Sequence, residues 1–404
     1  MPSDVTVVGG GVSGLVAARR LALEGLSVTL HEQSDRLGGQ VARQRVAGVD
    51  LDAAAESFAT RTTAVADLLG ELGLAGDIVA PSPAPAWLHR ADGTAVPLPA
   101  TGLFGIPGDP LAADVVRAIG AAGAARAAQD ASLPTEEGRD ASSLGELVRI
   151  RMGQAVVDGL VAPVVRGVHS TSADDLPVER AHPRLREELQ ARGSLAAAVR
   201  ALRAASPAGS QVAGIRGGMF RLVDALAADC TRLGVRIVLG STLPIGAGLV
   251  VRAAPPADGS RGRRVTLVTL VVDAPALDAA PRGTGVLVAA DAPGVTARAL
   301  THLSAKWAWV RDALPARHAL RLSYDGDPVD PIERATADAG ILLGTAIDRV
   351  EDASVRAWVR GSAGPAEGYA VGEYVAGTGL SSVVQQAERA ARKLAGETSI
   401  RRPR

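Results

Sequence analysis

Residues 5–18 read VTVVGGGVSGLVAA: four β-branched residues, three consecutive glycines, and a fourth glycine three positions later. The run Val5–Val8, flanked by turn residues, predicts a short strand buried on both faces of a parallel sheet. From Val12 to Glu24, Leu15, Val16, Ala18, Leu21, Ala22 and Leu23 fall on helical spacing, and Gly25 supplies a stop. Ser27 to Leu30 then predicts a second strand that ends at His31 and Glu32. In this strand–helix–strand setting Gly9, Gly11 and Gly14 fit the G-x-G-x-x-G pattern, and Glu32 stands near the acidic position about 20 residues on. Gly9 permits the tight turn, Gly11 lets backbone amides approach a diphosphate, and Gly14 lets helix and strand pack closely. Glu32 is then the acceptor for an adenosine ribose, and the class of ligand is a dinucleotide.

The next residues narrow that class. Glu32, Gln33, Ser34, Asp35, Arg36, Leu37, Gly38 and Gly39 place a cation and a second glycine pair just past the ribose acid. There a bare backbone can pass a phosphate that Arg36 neutralises. This arrangement, an acid followed by R-x-G-G, resembles the FAD-binding start of the amine oxidase and porphyrinogen oxidase superfamily. The resemblance implies FAD rather than NAD, with Gly10, Val12, Ser13 and Gln40 in the same cradle. It continues in VDLDAAAESFATR (49–61), where Ala54 stands at a place commonly held by glycine. By the same resemblance Ala54, Ala55, Glu56 and Ser57 face the cofactor, while Phe58 is expected to be buried on a helix. Arg61 is a candidate cation for substrate carboxylates.

Further along, Asp92–Gly93 between short apolar runs predicts a hairpin. Leu111–Gln129 and Leu144–Val165 predict helices, within a mostly helical stretch at 111–210. Arg149, Arg151 and Arg166 are expected to be solvated or structural. The segments SSLGELVRIRMGQAVVDGLVAPVVRGVHSTSADDL, LPATGLFGIP and GVLVAADAPGVTARALTHLSAKW resemble the oxygen-dependent protoporphyrinogen and coproporphyrinogen oxidases of haem synthesis. That likeness runs along the whole chain and is more discriminating than the glycine pattern. Gly217 and Gly218 precede a predicted helix and a returning strand at Val235–Leu239; by resemblance the position after that strand, Leu243, contacts adenine. Near the C-terminus Gly377, Thr378, Gly379 and Leu380 match a family G-x-G-[IV]-P stretch, with Ser381 in place of proline and a helix starting near it. The resemblance implies that Thr378, Gly379, Leu380 and Trp358 touch the flavin, and that Lys306 joins Arg61 against substrate carboxylates. The stretches after Leu243 and after Trp358 are short, which predicts a curtailed closing strand, hairpin and crossover.

The implied fold class is α/β. A Rossmann-like FAD-binding domain of the glutathione-reductase-like kind (1–80, 211–256, 366–404) accompanies a substrate-binding α+β domain (81–110, 257–365) and a helical insertion (111–210). The 404 residues exceed what one core usually holds. Lys plus Arg and Asp plus Glu both total 43, so the basic footprint of a nucleic-acid partner is missing. One cysteine and scattered histidines predict a reducing cytoplasm, no disulfide and no structural metal. No apolar run is long enough to span a bilayer, although peripheral membrane contact is compatible with the sequence. The resemblance implies six-electron oxidation of a porphyrinogen to a porphyrin by O2, with H2O2 release. Coproporphyrinogen III is the preferred substrate and a haem-pathway enzyme a compatible partner. The alternatives are a protoporphyrinogen IX oxidase, an amine-oxidase-type flavoenzyme, or a flavin- or porphyrin-binding protein without turnover.

Overall fold

The computed structural model describes residues 4–169, 171–205, 212–242, 249–254, 262–361 and 368–401. The chain forms two compact units, one of Met1–Pro81, Gly209–Arg264 and Trp358–Arg404, the other of Ser82–Ala208 and Val265–Ala357.

The first unit is built on a five-stranded sheet with the order Arg236–Val238, Val28–His31, Val5–Val8, Leu249–Arg252, Tyr369–Ala370. Every neighbouring pair is parallel. The strand Val5–Val8 lies at the centre, so Val5 and Val7 are fully buried, as the β-branched run requires. Helix Val12–Leu23 follows, packed against helices Phe220–Arg232 and Leu380–Arg401. Because it is covered from more than one side, it buries Leu15, Val16, Ala17, Ala18 and Leu21 completely. Arg19 is buried with them, and its guanidinium is matched by Glu71 at 2.6 Å and Asp229 at 2.7 Å. Burial alone would raise Asp229, but the hydrogen bonds from Arg19 and Arg232 outweigh it and hold the carboxyl below its ordinary value.

Two expectations are corrected in this unit. Phe58 is not on a helix: it sits in the two-residue strand Phe58–Ala59, paired antiparallel with Ala213 and Val212. A closing strand is present after all, since Leu249–Arg252 pairs with both Val5–Val8 and Tyr369–Ala370. Four residues suffice because the central strand it extends is itself only four long.

The second unit holds a seven-stranded sheet with the order Arg349–Gly361, Gly262–Asp273, His318–Asp325, Ala299–His302, Gly285–Val288, Trp87–His89, Ala95–Pro97. Helix Pro331–Leu343 packs Ala335, Ala339, Leu342 and Leu343 onto Val268, Leu270, Leu320 and Leu322. Within that layer the fully buried Asp338 accepts from the Thr296 and Ala297 amides and the Thr296 and Tyr324 hydroxyls. Helices then run through 113–204. Here the expected continuous helix over Leu144–Val165 is broken into Leu144–Met152, Gln154–Val156 and Ala162–His169, with a π turn at Val157–Val161. Gly153 adopts φ 90°, which ends the first piece, and Pro163 cannot donate to the preceding turn. Arg151 is structural. It is fully buried, pairs with the equally buried Asp130 at 2.6 Å, and donates to the carbonyls of Pro134, Asp130 and Gly193.

Candidate functional site

The turn between the first strand and the first helix carries the site. Gly9 leaves the strand at φ 108°, and its amide donates to the His31 carbonyl of the neighbouring strand. A Cβ at Gly14 would stand 1.9 Å from the Gly9 carbonyl oxygen, so the helix reaches this close to the turn only because the side chain is absent. At Gly11, by contrast, a Cβ would meet nothing within 4 Å. Gly11 is the N-cap of helix Val12–Leu23, has φ −70° and ψ 176°, and offers no side chain to cap the first turn. Open space therefore lies in front of a helix end whose amides have no side-chain acceptor, with Val12 and Ser13 buried behind it. Such a place favours an anion.

Glu32, at the end of the second strand, is fixed by three donors. Oε2 accepts from the Gly10 amide at 2.6 Å, and Oε1 accepts from the Ser34 amide at 2.8 Å and the Ser34 hydroxyl at 2.6 Å. A carboxylate has about four acceptor positions, so capacity for a ribose hydroxyl remains. The segment before Leu243 runs beside it, with the Glu32 amide donating to the Val238 carbonyl and the Ser241 amide to the Glu32 carbonyl. Leu243 itself lies outside the described residues.

The second glycine pair folds back on the first. The Gly38 amide donates to the Gly10 carbonyl at 2.8 Å, and a Cβ at Gly39 would face the Gly11 Cα at 3.6 Å. Gln33 and Arg36 are exposed on this loop. The Arg36 guanidinium donates to the Gly39 carbonyl at 3.1 Å, which keeps the cation on the loop that borders the open space. Gln40 donates to Glu373 at 2.7 Å and so ties this loop to the C-terminal segment. Ala54, Ala55, Glu56 and Ser57 form a half-buried stretch outside helix and strand, and Arg61 is exposed just before helix Ala64–Glu71. Thr378 is half-buried, Gly379 is exposed at φ 125°, and Leu380 begins the C-terminal helix. Ser381 lies inside that helix instead of capping it, and its hydroxyl donates to the Ala59 carbonyl at 2.9 Å. Trp358 is on the edge strand Arg349–Gly361 with its indole nitrogen buried and unpartnered. Lys306 belongs to the second unit, at the end of the single turn Leu303–Lys306, with Nζ 5.4 Å from the Trp307 ring.

Sequence reasoning missed three parts of the cradle. Gly372, at φ 123°, passes so close to the first helix that a Cβ would lie 3.2 Å from the Ser13 hydroxyl oxygen. Ala253 and Ala254 both donate to the Val8 carbonyl and close the floor beneath Gly9. Asp52 accepts from the Phe220 amide and holds the start of helix Phe220–Arg232. Only Gly372 carried a local signal, as a second glycine a few residues ahead of the motif at 377–379.

The open anion site, the fixed acid and the second glycine loop fit a dinucleotide that carries a diphosphate and a ribose. Comparison with known proteins gives the same answer. Residues 12–243 match the family described as flavin containing amine oxidoreductase. The chain is 30% identical to a coproporphyrinogen III oxidase of Mycobacterium tuberculosis over 93% of its own length and 90% of that protein's. It is 28% identical to a coproporphyrinogen III oxidase of Staphylococcus aureus, there over 59% of its length and 53% of the relative's. Among solved structures, one from Exiguobacterium sp. provisionally named a protoporphyrinogen oxidase superposes with a TM-score of 0.82 at 22% identity, covering 98% of this chain and all of that one. A putrescine oxidase superposes with a TM-score of 0.64 at 16% identity, covering 99% of this chain and 100% of that one. The α/β fold with a Rossmann-like FAD-binding part is thus the architecture of this chain, and its cofactor is FAD. The chain belongs to the flavin-containing amine oxidoreductase family, in the branch that holds the coproporphyrinogen III oxidases.

Proposed function

We propose that this protein oxidises a porphyrinogen to the porphyrin with FAD and O2, releasing H2O2, and that coproporphyrinogen III is its substrate. The observation that carries the reading is the 30% identity to a coproporphyrinogen III oxidase over 93% of the chain and 90% of the relative. Bound FAD would supply the electron-accepting chemistry for removal of hydride from a meso-carbon of the substrate. The chain's own residues bind and orient. Backbone amides at the start of helix Val12–Leu23 hold the diphosphate, Glu32 holds the ribose and Arg36 adds a countercharge. Gln40, the 54–57 stretch and residues 378–380 border the remainder of the cofactor. In this reading 81–110 with 257–365 form the substrate-binding part, and 111–210 the helical part beside it. Coproporphyrinogen III carries four propionates where protoporphyrinogen IX carries two, and Arg61 and Lys306 are the cations assigned to them. A reducing cytoplasm fits the lone buried Cys230. Association with another haem-pathway enzyme, or peripherally with a membrane, is compatible with this role.

The test is direct. Purified protein is examined for flavin absorption bands and then mixed in air with each porphyrinogen while porphyrin fluorescence is followed. Faster fluorescence gain with coproporphyrinogen III is the expected result. Equal or faster gain with protoporphyrinogen IX reassigns the substrate, and a yellow protein with no gain over the uncatalysed control leaves only a binding role.

A further inference from the structure

Two segments assigned to the cofactor, both in the first unit, have little regular structure of their own. Ala54, Ala55, Glu56 and Ser57 lie outside helix and strand and run into the two-residue strand Phe58–Ala59. Gly377, Thr378 and Gly379 form the turn ahead of the C-terminal helix, with φ 77° at Gly377 and 125° at Gly379. Neither segment belongs to a helix or a ladder of its own, so the gap between them is set by what they are fastened to.

The fastening point is the helix Leu380–Arg401. It packs on helix Val12–Leu23, burying Val384, Ala387, Ala391 and Leu394, and the Arg20 guanidinium pairs with Glu388 at 2.6 Å. Two of its side chains reach out to neighbouring backbone. Gln386 donates through Nε2 to the Ala370 carbonyl at 2.8 Å and accepts at Oε1 from the Gly372 amide at 3.3 Å, which ties down the chain before the glycine turn. Ser381, in the first turn and 2% exposed, donates through its hydroxyl to the Ala59 carbonyl at 2.9 Å. That bond joins the two irregular segments at one point. The family stretch that 377–381 resembles ends in proline, whose ring restrains the turn locally but offers no hydroxyl. In this chain a hydrogen bond across to the other segment stands at that place.

We propose that Ser381 is a positioning residue for FAD, its hydroxyl fastening the 54–59 segment to the start of the C-terminal helix and so fixing the gap between the two stretches that border the flavin. The inference rests on the cofactor-bordering roles given above to 54–57 and 378–380. Ser381 acts through these neighbours, since its hydroxyl is turned to Ala59. With the bond in place both stretches are ordered before the ligand arrives. Without it, part of the binding energy of FAD is spent on ordering them, and affinity falls.

Ser381→Ala tests this, because it removes one oxygen, adds no atom that could collide, and puts the strongest helix former into the first turn. The expected protein is folded and yellow, with an FAD dissociation constant raised about five- to tenfold, the size of one lost hydrogen bond. The visible circular-dichroism band of the bound flavin should change shape. Val384→Ala is the companion, since Val384 lies on the same helix and is buried in the core of this unit. It should lower the urea midpoint more than Ser381→Ala does, while FAD affinity and the flavin band stay as in the wild type. Wild-type affinity and band shape in Ser381→Ala overturn the inference, as does Val384→Ala reproducing both changes, which would make the effect one of general stability. Neither readout uses a porphyrinogen. A wild-type protein that binds FAD yet forms no porphyrin therefore overturns the proposed oxidation alone.

Discussion

The cofactor cradle of the first unit and the helical part of the second solve opposite problems. The cradle is made by leaving side chains out: Gly9 and Gly14 let backbone pack where a Cβ would collide, and Gly11 faces open space at the start of the first helix. The helical part is made by burying side chains that ordinarily stay in water, with Arg151 and Asp130 at zero exposure, the guanidinium donating to the carbonyls of Asp130, Pro134 and Gly193 and the carboxylate accepting from the Ala196 amide. A cradle built from absences tolerates little addition. A hub built from charges tolerates no removal, since one partner taken away leaves the other charged and dry.

The largest effect is expected at the hub. Arg151→Met leaves Asp130 unpaired and should lower stability by about 3–5 kcal/mol, read as a fall in the urea midpoint. The flavin content of the molecules that remain folded should be unchanged, and a parallel loss of flavin would blur the distinction between the two regions.

A second test uses pH. His302 is pushed down to about 4 from the ordinary 6.5. Its contribution is complete above the unfolded value and is lost as pH falls through the folded one, because the unfolded chain binds the proton first. Stability should therefore drop by up to about 3 kcal/mol between pH 6.5 and about 4. The drop should shrink in His302→Asn, followed by urea titration at each pH.

The cradle is probed by a pair of alanines. Gly14→Ala places a methyl 1.9 Å from a backbone oxygen, so it should cost about 2 kcal/mol or more and yield a colourless protein. Gly11→Ala meets nothing within 4 Å and has φ −70°. It should change stability by less than about 1 kcal/mol yet weaken FAD binding about tenfold, because its methyl enters the space meant for the diphosphate. Equal effects at the two positions in both assays would show that Gly11 serves packing and not the ligand. The smallest effect is at Cys230, whose thiol burial pushes up to about 12. It should stay inert to alkylation at pH 8 until the protein is unfolded, as judged by mass.

This contrast also explains what the sequence disclosed. The turn at Gly9–Gly14, the strand before it and the helix after it were legible because a glycine at fixed spacing is a local statement about geometry. The hairpin around Asp92–Gly93 was legible for the same reason, and the structure places strands Trp87–His89 and Ala95–Pro97 on either side of it. The Arg151–Asp130 pair was not, since the partners are 21 residues apart and nothing nearby marks either as buried. His302 and His318 looked scattered for a similar reason. Sixteen residues separate them along the chain, and only the pairing of two adjacent strands brings a nitrogen of one ring to 3.1 Å from a nitrogen of the other. Gly153 and Pro163 are local signals of a break, but the apolar spacing from Leu144 to Val165 runs through both and predicts a single helix. Within the site, the glycine loop and Glu32 could be read from one window of the chain, whereas Ala253, Ala254 and Gly372 enter through sheet order, which no single window contains.

The bond from Gln40 to Glu373 joins positions 333 residues apart. The strand Tyr369–Ala370 and the helix Leu380–Arg401 complete the same unit from the far end of the chain. On a ribosome adding about 5–20 residues per second, the first helix waits on the order of 20–80 seconds for these late arrivals. During that interval the face destined for Leu380–Arg401 stays bare, although the early strands and helix Phe220–Arg232 can already cover the rest, and the vitamin-derived ligand has no finished berth. Loading must follow translation, and a nascent polypeptide stalled short of its last fifty residues is a client for chaperones.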